Sequence, residues 1–158
     1  MFSFYTRGMN FIDIAYLTPQ NIEGSLLKYE RQKTGKKFSL GLVKPALQII
    51  EKYRSGNRYL FPLVFTRHTT ETTLYNRIKK MRAKVNRDLK KVGEEAGLKG
   101  ITFYTARHTF ATNAKRGGEN TNVIQELLGH SNVRTTEIYL LSFGDEFLDE
   151  VTEKHTEL

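Results

Sequence analysis

The chain has 158 residues, 39% of them hydrophobic, at a mean hydropathy of −0.49, which suits one soluble domain around a single core. No apolar run of about 18 residues is present to span a membrane. MFSFYTRGMN lacks the apolar stretch and cleavage site of a signal peptide, and the absence of cysteine excludes disulfides and thiolate metal sites. Lys and Arg number 25 against 17 Asp and Glu, but six acids and one base fall in GDEFLDEVTEKHTEL, residues 144–158. Residues 1–143 therefore carry 24 bases against 11 acids, +13, while the tail carries −5. A surface that basic attracts a polyanion, nucleic acid first among them, and a reducing, cytoplasmic setting is the simplest.

In chain order, Asn10 can cap a short helix with Asp13 at its third position, and Phe11, Ile14 and Ala15 share one side, so 10–17 reads as helix. Thr18-Pro19 stops it. SLLKYERQ and KFSLGL have strand character about the turn-forming Thr34-Gly35, which predicts an antiparallel hairpin. Pro45 in a first turn and Gly56 past the end mark a helix near 44–54. RYLFPLVF is apolar and fits no single element type.

From about 71 to 96, Leu74, Ile78, Met81, Val85, Leu89 and Val92 recur at helical spacing, and Gly97 ends the pattern. Eight of the fifteen residues from Arg77 to Lys91 are Lys or Arg. One apolar stripe is left for the core and a cationic remainder for a phosphate backbone, with Arg77, Lys80, Lys84, Arg87 and Lys91 as candidate contacts; a solvated helix face is the plainer alternative. Further helices are expected from Thr105 to Gly117-Gly118 and over Asn120 to Leu128. The expected class is α+β, mainly α, with a small antiparallel sheet.

LLGHSNVRTTEIYLL, residues 127–141, sets His130 nine residues before Tyr139. On one helix, nine steps of about 100° would put them on opposite faces. Gly129, however, suits a helix C′ position and Ser131 or Asn132 a following N-cap, so the chain bends between them and both side chains can face one pocket.

Taken singly, these residues mean little. Together, Arg107-His108-Thr109-Phe110-Ala111-Thr112, then Leu127-Leu128-Gly129-His130, then Ile138-Tyr139 resemble the C-terminal signature of the tyrosine site-specific recombinases, the phage and mobile-element integrases. FYTRGMNFIDIAYL resembles the segment with that family's first catalytic arginine, which places it at Arg7. ERQKTGKKFSL resembles its β-hairpin, with the catalytic lysine at Lys33. The wording is similar to integrases of conjugative and other mobile elements of Bacteroides-type bacteria. The resemblance covers residues 4–141 and implies the helical DNA breaking-rejoining fold.

It also implies a chemistry that suits these residue types. Breaking a phosphodiester without metal or nucleotide requires a nucleophile, positive donors on the non-bridging oxygens and an acid for the leaving 5′ oxygen. By resemblance, Tyr139 attacks phosphorus to give a 3′-phosphotyrosyl bond, Arg7 and Arg107 hold the two oxygens with forked donors, His130 donates to one of them, and Lys33 is the general acid. No metal or cofactor is implied. An unperturbed tyrosine is ionised to roughly one part in a thousand at pH 7, so neighbouring cations must lower that cost. At Tyr104 the family often has histidine; a phenol hydrogen-bonds phosphate but does not titrate near neutrality, and Tyr104 is the alternative nucleophile.

After Tyr139, Phe143, Phe147, Leu148 and Val151 fall near helical spacing with acids on the other side. The resemblance reads 144–158 as an acidic helix that docks on a neighbouring protomer, within a tetramer on double-stranded DNA and a monomer alone; folding back on the chain's own core is the alternative. It reads 1–143 as the catalytic domain without its first helix and without the N-terminal DNA-binding domain. A type IB topoisomerase-like enzyme and a non-catalytic basic DNA-binding module are the competing functions.

Overall fold

The computed structural model describes residues 1–65, 67–130, 134, 136 and 137. Tyr139 and the acidic tail lie outside the described residues. The chain divides into two compact units, Met1–Arg107 and a second one from His108 onward.

The first unit opens with α1, Phe2–Tyr5, a single turn whose Phe2 and Ser3 are buried. Hydroxyl groups shape the turn after it. Thr6 Oγ1 donates to the Phe2 carbonyl oxygen at 2.8 Å, Ser3 Oγ to that of Met9 at 2.7 Å, and the Gly8 N–H to that of Ser3 at 2.7 Å. These bonds fold residues 6–9 tightly beneath the helix. The turn puts two consecutive residues in the left-handed region, Arg7 at φ 59° and Gly8 at φ 72°, a cost that Arg7 bears as a side-chain residue and Gly8 largely avoids.

Helix α2, Phe11–Tyr16, begins at Asn10, but not as the capping pattern suggests. Asn10 caps no backbone N–H; its side chain hydrogen-bonds the carboxyl of Asp13, which is only 2% exposed and accepts the Gln32 N–H at 2.9 Å. A partner across the fold outcompetes the local cap. Strands β1, Ile22–Glu23, β2, Leu26–Glu30, and β3, Lys37–Gly41, form one antiparallel sheet in that order. The expected hairpin is β2 and β3, in register at Leu27 with Leu40 and Tyr29 with Phe38. Leu27, Tyr29 and Leu40 face the core while Leu26, Lys28 and Glu30 face out, the period-2 alternation of a half-covered sheet.

Helix α3, Lys44–Tyr53, has Pro45 in its first turn and seats Ala46 and Ile50 in the core. RYLFPLVF proves irregular yet apolar inside: Tyr59, Leu60, Phe61 and Val64 are buried, and the Leu60 N–H bonds the Leu17 carbonyl oxygen at 2.7 Å. Helix α4, Glu71–Glu95, has 25 residues, about 37 Å of length. Thr70 caps it, accepting from the Thr73 N–H. Its Leu74, Ile78, Met81 and Val85 pack against Phe11, Ala15, Tyr59 and Val64. The stripe departs from expectation at its end: Val92 is 59% exposed and Gly93 is buried, because the chain turns back there and the Leu98 carbonyl oxygen and Ile101 lie within 3.4 Å of where a Gly93 Cβ would stand.

Helix α5, Thr105–Arg116, starts and stops where the sequence indicates, and α6, Thr121–Leu128, is capped by Asn120 accepting from Val123 and closed by Gly129 at φ 67°. In the second unit Ala111, Ile124 and Leu128 form a small core with Phe110 and Ala114 against it. No helix among the described residues is long and apolar enough to cross a membrane.

Gly8 has the least room. A Cβ there would meet Arg107 Cγ at 2.5 Å, Cβ at 2.7 Å and the Arg107 Cα at 2.8 Å. Gly8→Ala is therefore expected to lose about 2–5 kcal/mol from left-handed strain and overpacking together, read by denaturant unfolding. A loss below about 0.5 kcal/mol would show that the turn relaxes freely.

Candidate active site

Arg107, in the first turn of α5, is 3% exposed. Its Nη1 donates to the Gly8 carbonyl oxygen at 3.1 Å, and its backbone N–H to that of Tyr104 at 3.0 Å. The start of α5 is fixed locally by the Thr102 N–H donating to Thr105 Oγ1 at 3.0 Å, and from outside by the Phe103 N–H donating to Asn86 Oδ1 of α4 at 2.8 Å. A helix start anchored at three points leaves the Arg107 guanidinium little freedom.

Arg7 immediately precedes Gly8 and is half-buried. The turn that carries it is thus the turn that Arg107 holds. Lys33 is exposed in the β2–β3 connection, a turn closed by the Arg31 N–H to the Lys36 carbonyl oxygen at 2.9 Å and the Gly35 N–H to that of Arg31 at 2.8 Å, with Gly35 at φ 65°. Its base is held by Asp13, which takes the Gln32 N–H and has Arg31 Nε 3.9 Å from Oδ2. Sequence reasoning placed Asp13 in a cap and Arg31 in a strand segment, and missed both as parts of the site. No helical pattern marked Asp13, which at about 100° per residue falls on the side away from Phe11, Ile14 and Ala15.

Burial pushes the Asp13 carboxyl above its ordinary pKa, opposed by the Gln32 N–H, the Arg31 charge, Asn10 and the Arg107 charge. Tyr29 is likewise raised by burial, with Arg31, hydrogen-bonded to it, and Arg107 opposing. Asp13, Tyr29, Arg31 and Arg107 therefore form one electrostatic cluster in which desolvation outweighs the attraction.

Tyr104 is 44% exposed, just ahead of α5. His130 lies in the second unit. Its backbone N–H donates to the Gln125 carbonyl oxygen at 3.0 Å, Gln125 Nε2 donates to the His130 carbonyl oxygen at 3.2 Å, and its Nδ1 is 2.8 Å from Oγ1 of the buried Thr136. Thr136 thus holds the imidazole by its Nδ1 edge. Thr136 was not singled out from sequence, since a threonine six residues on carries no pattern of its own.

The α4 cations divide. Arg77 is turned inward: Nε donates to the Leu63 carbonyl oxygen at 3.0 Å and its guanidinium lies 4.8 Å over the Phe65 ring. A main-chain acceptor and an aromatic face thus hold part of the Arg77 side chain. Lys84 bonds Asp88 at 2.6 Å and, as the foremost influence, holds that exposed carboxyl below its ordinary pKa; such an exposed pair exchanges readily for a phosphate. Lys80, Arg87 and Lys91 are exposed. No group of three or more His, Cys, Asp or Glu able to hold a metal occurs among the described residues.

A family model, the phage integrase family, matches residues 4–144. The tyrosine recombinase XerD of Corynebacterium glutamicum is 58% identical over 52 residues, 32% of this chain and 17% of that protein. The tyrosine recombinase XerA of Pyrococcus furiosus is 34% identical over 119 residues, 75% of this chain and 40% of that protein. The chain thus spans well under half the length of these two relatives. The crystal structure of XerA recombinase superposes with a TM-score of 0.67 at 24% identity, covering 99% of this chain and 56% of that one. The Tn1549 transposon integrase, solved with a circular-intermediate DNA, gives 0.61 at 17% identity, covering 96% and 56%. The fold is that of a tyrosine recombinase catalytic domain, and the chain belongs to the phage integrase family.

Proposed function

We propose that this chain is the strand-cleaving and strand-joining part of a site-specific DNA recombinase, acting in the integration or excision of a mobile element. The buried Arg107 carries the reading: a guanidinium 3% exposed, held against Gly8 and with its charge acting on Asp13, has the fixed, forked donors that suit a phosphodiester. In solved relatives of the same fold, XerH site-specific recombinase is bound to its difH substrate and a lambda integrase dimer to a core site.

Tyr139 would supply the nucleophile. Its oxygen attacks phosphorus and gives its proton to solvent water, the bond from phosphorus to the 5′ oxygen breaks, and that oxygen takes a proton from Lys33. A second 5′-hydroxyl reverses the step, so the phosphotyrosyl bond conserves the backbone linkage and no ATP is required. Arg7 and Arg107 would bind the non-bridging oxygens, and His130, its ring held at Nδ1 by Thr136, would donate to one of them. Tyr104 would hydrogen-bond the DNA phosphate without shuttling a proton. Arg77, Lys80, Lys84, Arg87 and Lys91 would line the duplex backbone. The reaction needs four protomers on two duplexes, and the acidic segment 144–158 would dock in trans to couple them. The setting would be the bacterial cytoplasm, at the nucleoid.

A nicked suicide duplex, cut from the DNA flanking the gene, should trap a covalent adduct with the wild-type chain and with Tyr104→Phe but not with Tyr139→Phe. An adduct that survives in Tyr139→Phe contradicts the nucleophile assignment, and retarded mobility with no adduct in the wild type marks a binding module. Deleting residues 144–158 is expected to abolish DNA-induced assembly in sedimentation while leaving adduct formation within about threefold. Unchanged assembly would rule out docking.

A further inference from the structure

We propose that Phe65, Arg67 and Arg77 form a fixed docking point for the phosphate backbone of duplex DNA, at the head of the cationic stripe on α4. The proposal rests on the reading of the chain as a DNA recombinase. It adds Phe65 and Arg67, which the sequence motifs do not mark.

At about 100° per residue, Arg77, Lys80, Lys84, Arg87 and Lys91 fall within an arc of about 80°, over about 21 Å of helix. A stripe of one sign and that length matches a strand that carries a phosphate about every 3.4 Å along the duplex axis. Lysines on flexible stems attract such a backbone as point charges and do not fix the register. A register needs donors whose positions are set before binding.

Arg77 and Arg67 have such positions. The Arg77 Nε–H is taken by the Leu63 carbonyl oxygen at 3.0 Å, which leaves the donors of its two Nη atoms. Its guanidinium carbon lies 4.8 Å from the centroid of the Phe65 ring, and that of Arg67 lies 5.3 Å from the same centroid. Both distances are within the reach of cation–π attraction. The ring is braced in turn: the His68 N–H donates to the Phe65 carbonyl oxygen at 3.0 Å, and the two rings stack at 6.0 Å. One aromatic ring thus sets two guanidiniums no more than about 10 Å apart, a span of about three phosphates along one strand.

Neither charge is committed within the protein. Arg67 is exposed and Arg77 is half-buried, and neither has an acidic partner among the described residues. The acids of α4 are engaged elsewhere: Asp88 with Lys84, Glu94 with Lys90, and Glu71 through its charge on the Tyr16 phenol. Forked donors held in place and left without an acid suit phosphate oxygens. Each arginine takes its own phosphate, so the two contacts are counted separately.

Fluorescence anisotropy of a labelled mixed-sequence duplex, titrated with the full chain over a salt series, tests this without a cognate site. Arg67→Gln and Arg77→Gln are each expected to lower the slope of log affinity against log salt by about 1, the counterion release of one phosphate contact. Arg67→Lys keeps the charge and is expected to weaken binding at least about threefold, because the fork is lost. An unchanged slope in Arg67→Gln, or a smaller loss in Arg67→Lys, overturns the proposal and leaves the DNA reading standing. Wild-type binding that salt does not weaken overturns both. Arg67 is exposed, so its two variants decide the matter even where Arg77→Gln unfolds.

Discussion

The hydrogen bond from Arg107 Nη1 to the Gly8 carbonyl oxygen joins residues 99 positions apart. It sits where a side chain at position 8 would collide with the Arg107 Cα. Around it the first unit is arranged: hydroxyls of Ser3 and Thr6 fold the turn that presents the carbonyl, Asn86 and Thr105 fix the start of α5, and Asp13 stands close enough for the Arg107 charge to act on its carboxyl. Removing one partner from a buried charged arrangement of this kind costs about 3–5 kcal/mol. The helix start and the hairpin base are linked through Asp13, on whose carboxyl the charges of Arg107 and Arg31 both act.

That coupling explains why some of the design is readable from sequence and some is not. Helix α6 is legible because its determinants are local: Asn120 caps it and Gly129 ends it in the left-handed region. The hairpin follows from alternation at Leu27, Tyr29 and Leu40 about Gly35. Asn10 and Asp13 mislead because the same spacing serves a capping box, whereas a hairpin 19 residues later takes the carboxylate. Val92 misleads because a periodicity cannot show that the chain folds back on Gly93. Strand β1, two residues long, is too short for any pattern. Among the candidate residues, Arg107 and His130 were marked by motif, while the contacts of Arg31, Thr136 and Arg77 carry no sequence pattern of their own.

Charge is distributed unevenly over the molecule, and the unevenness has a functional logic. Exposed lysines and arginines on α4 meet water and a few weak pairs such as Lys84 with Asp88, which suits a salt-sensitive hold on the phosphate backbone. The buried guanidiniums are few, oriented and desolvated, which suits the stabilisation of charge that develops at one phosphorus. On the proposed function, binding and chemistry would draw on different classes of cation. The exposed class can be diluted by salt with little effect on the buried one.

The central claim is that Arg107 acts by neutralising the scissile phosphate. It is tested by single-turnover cleavage of a site whose scissile phosphate is either native or a methylphosphonate, which lacks the charge. Arg107→Ala should cleave the native site at least about 10²-fold more slowly than wild type, the usual loss for one preorganised donor, and the neutral site within about tenfold of it. An equal loss on both substrates would contradict the account, for it would mean that Arg107 only holds the fold together.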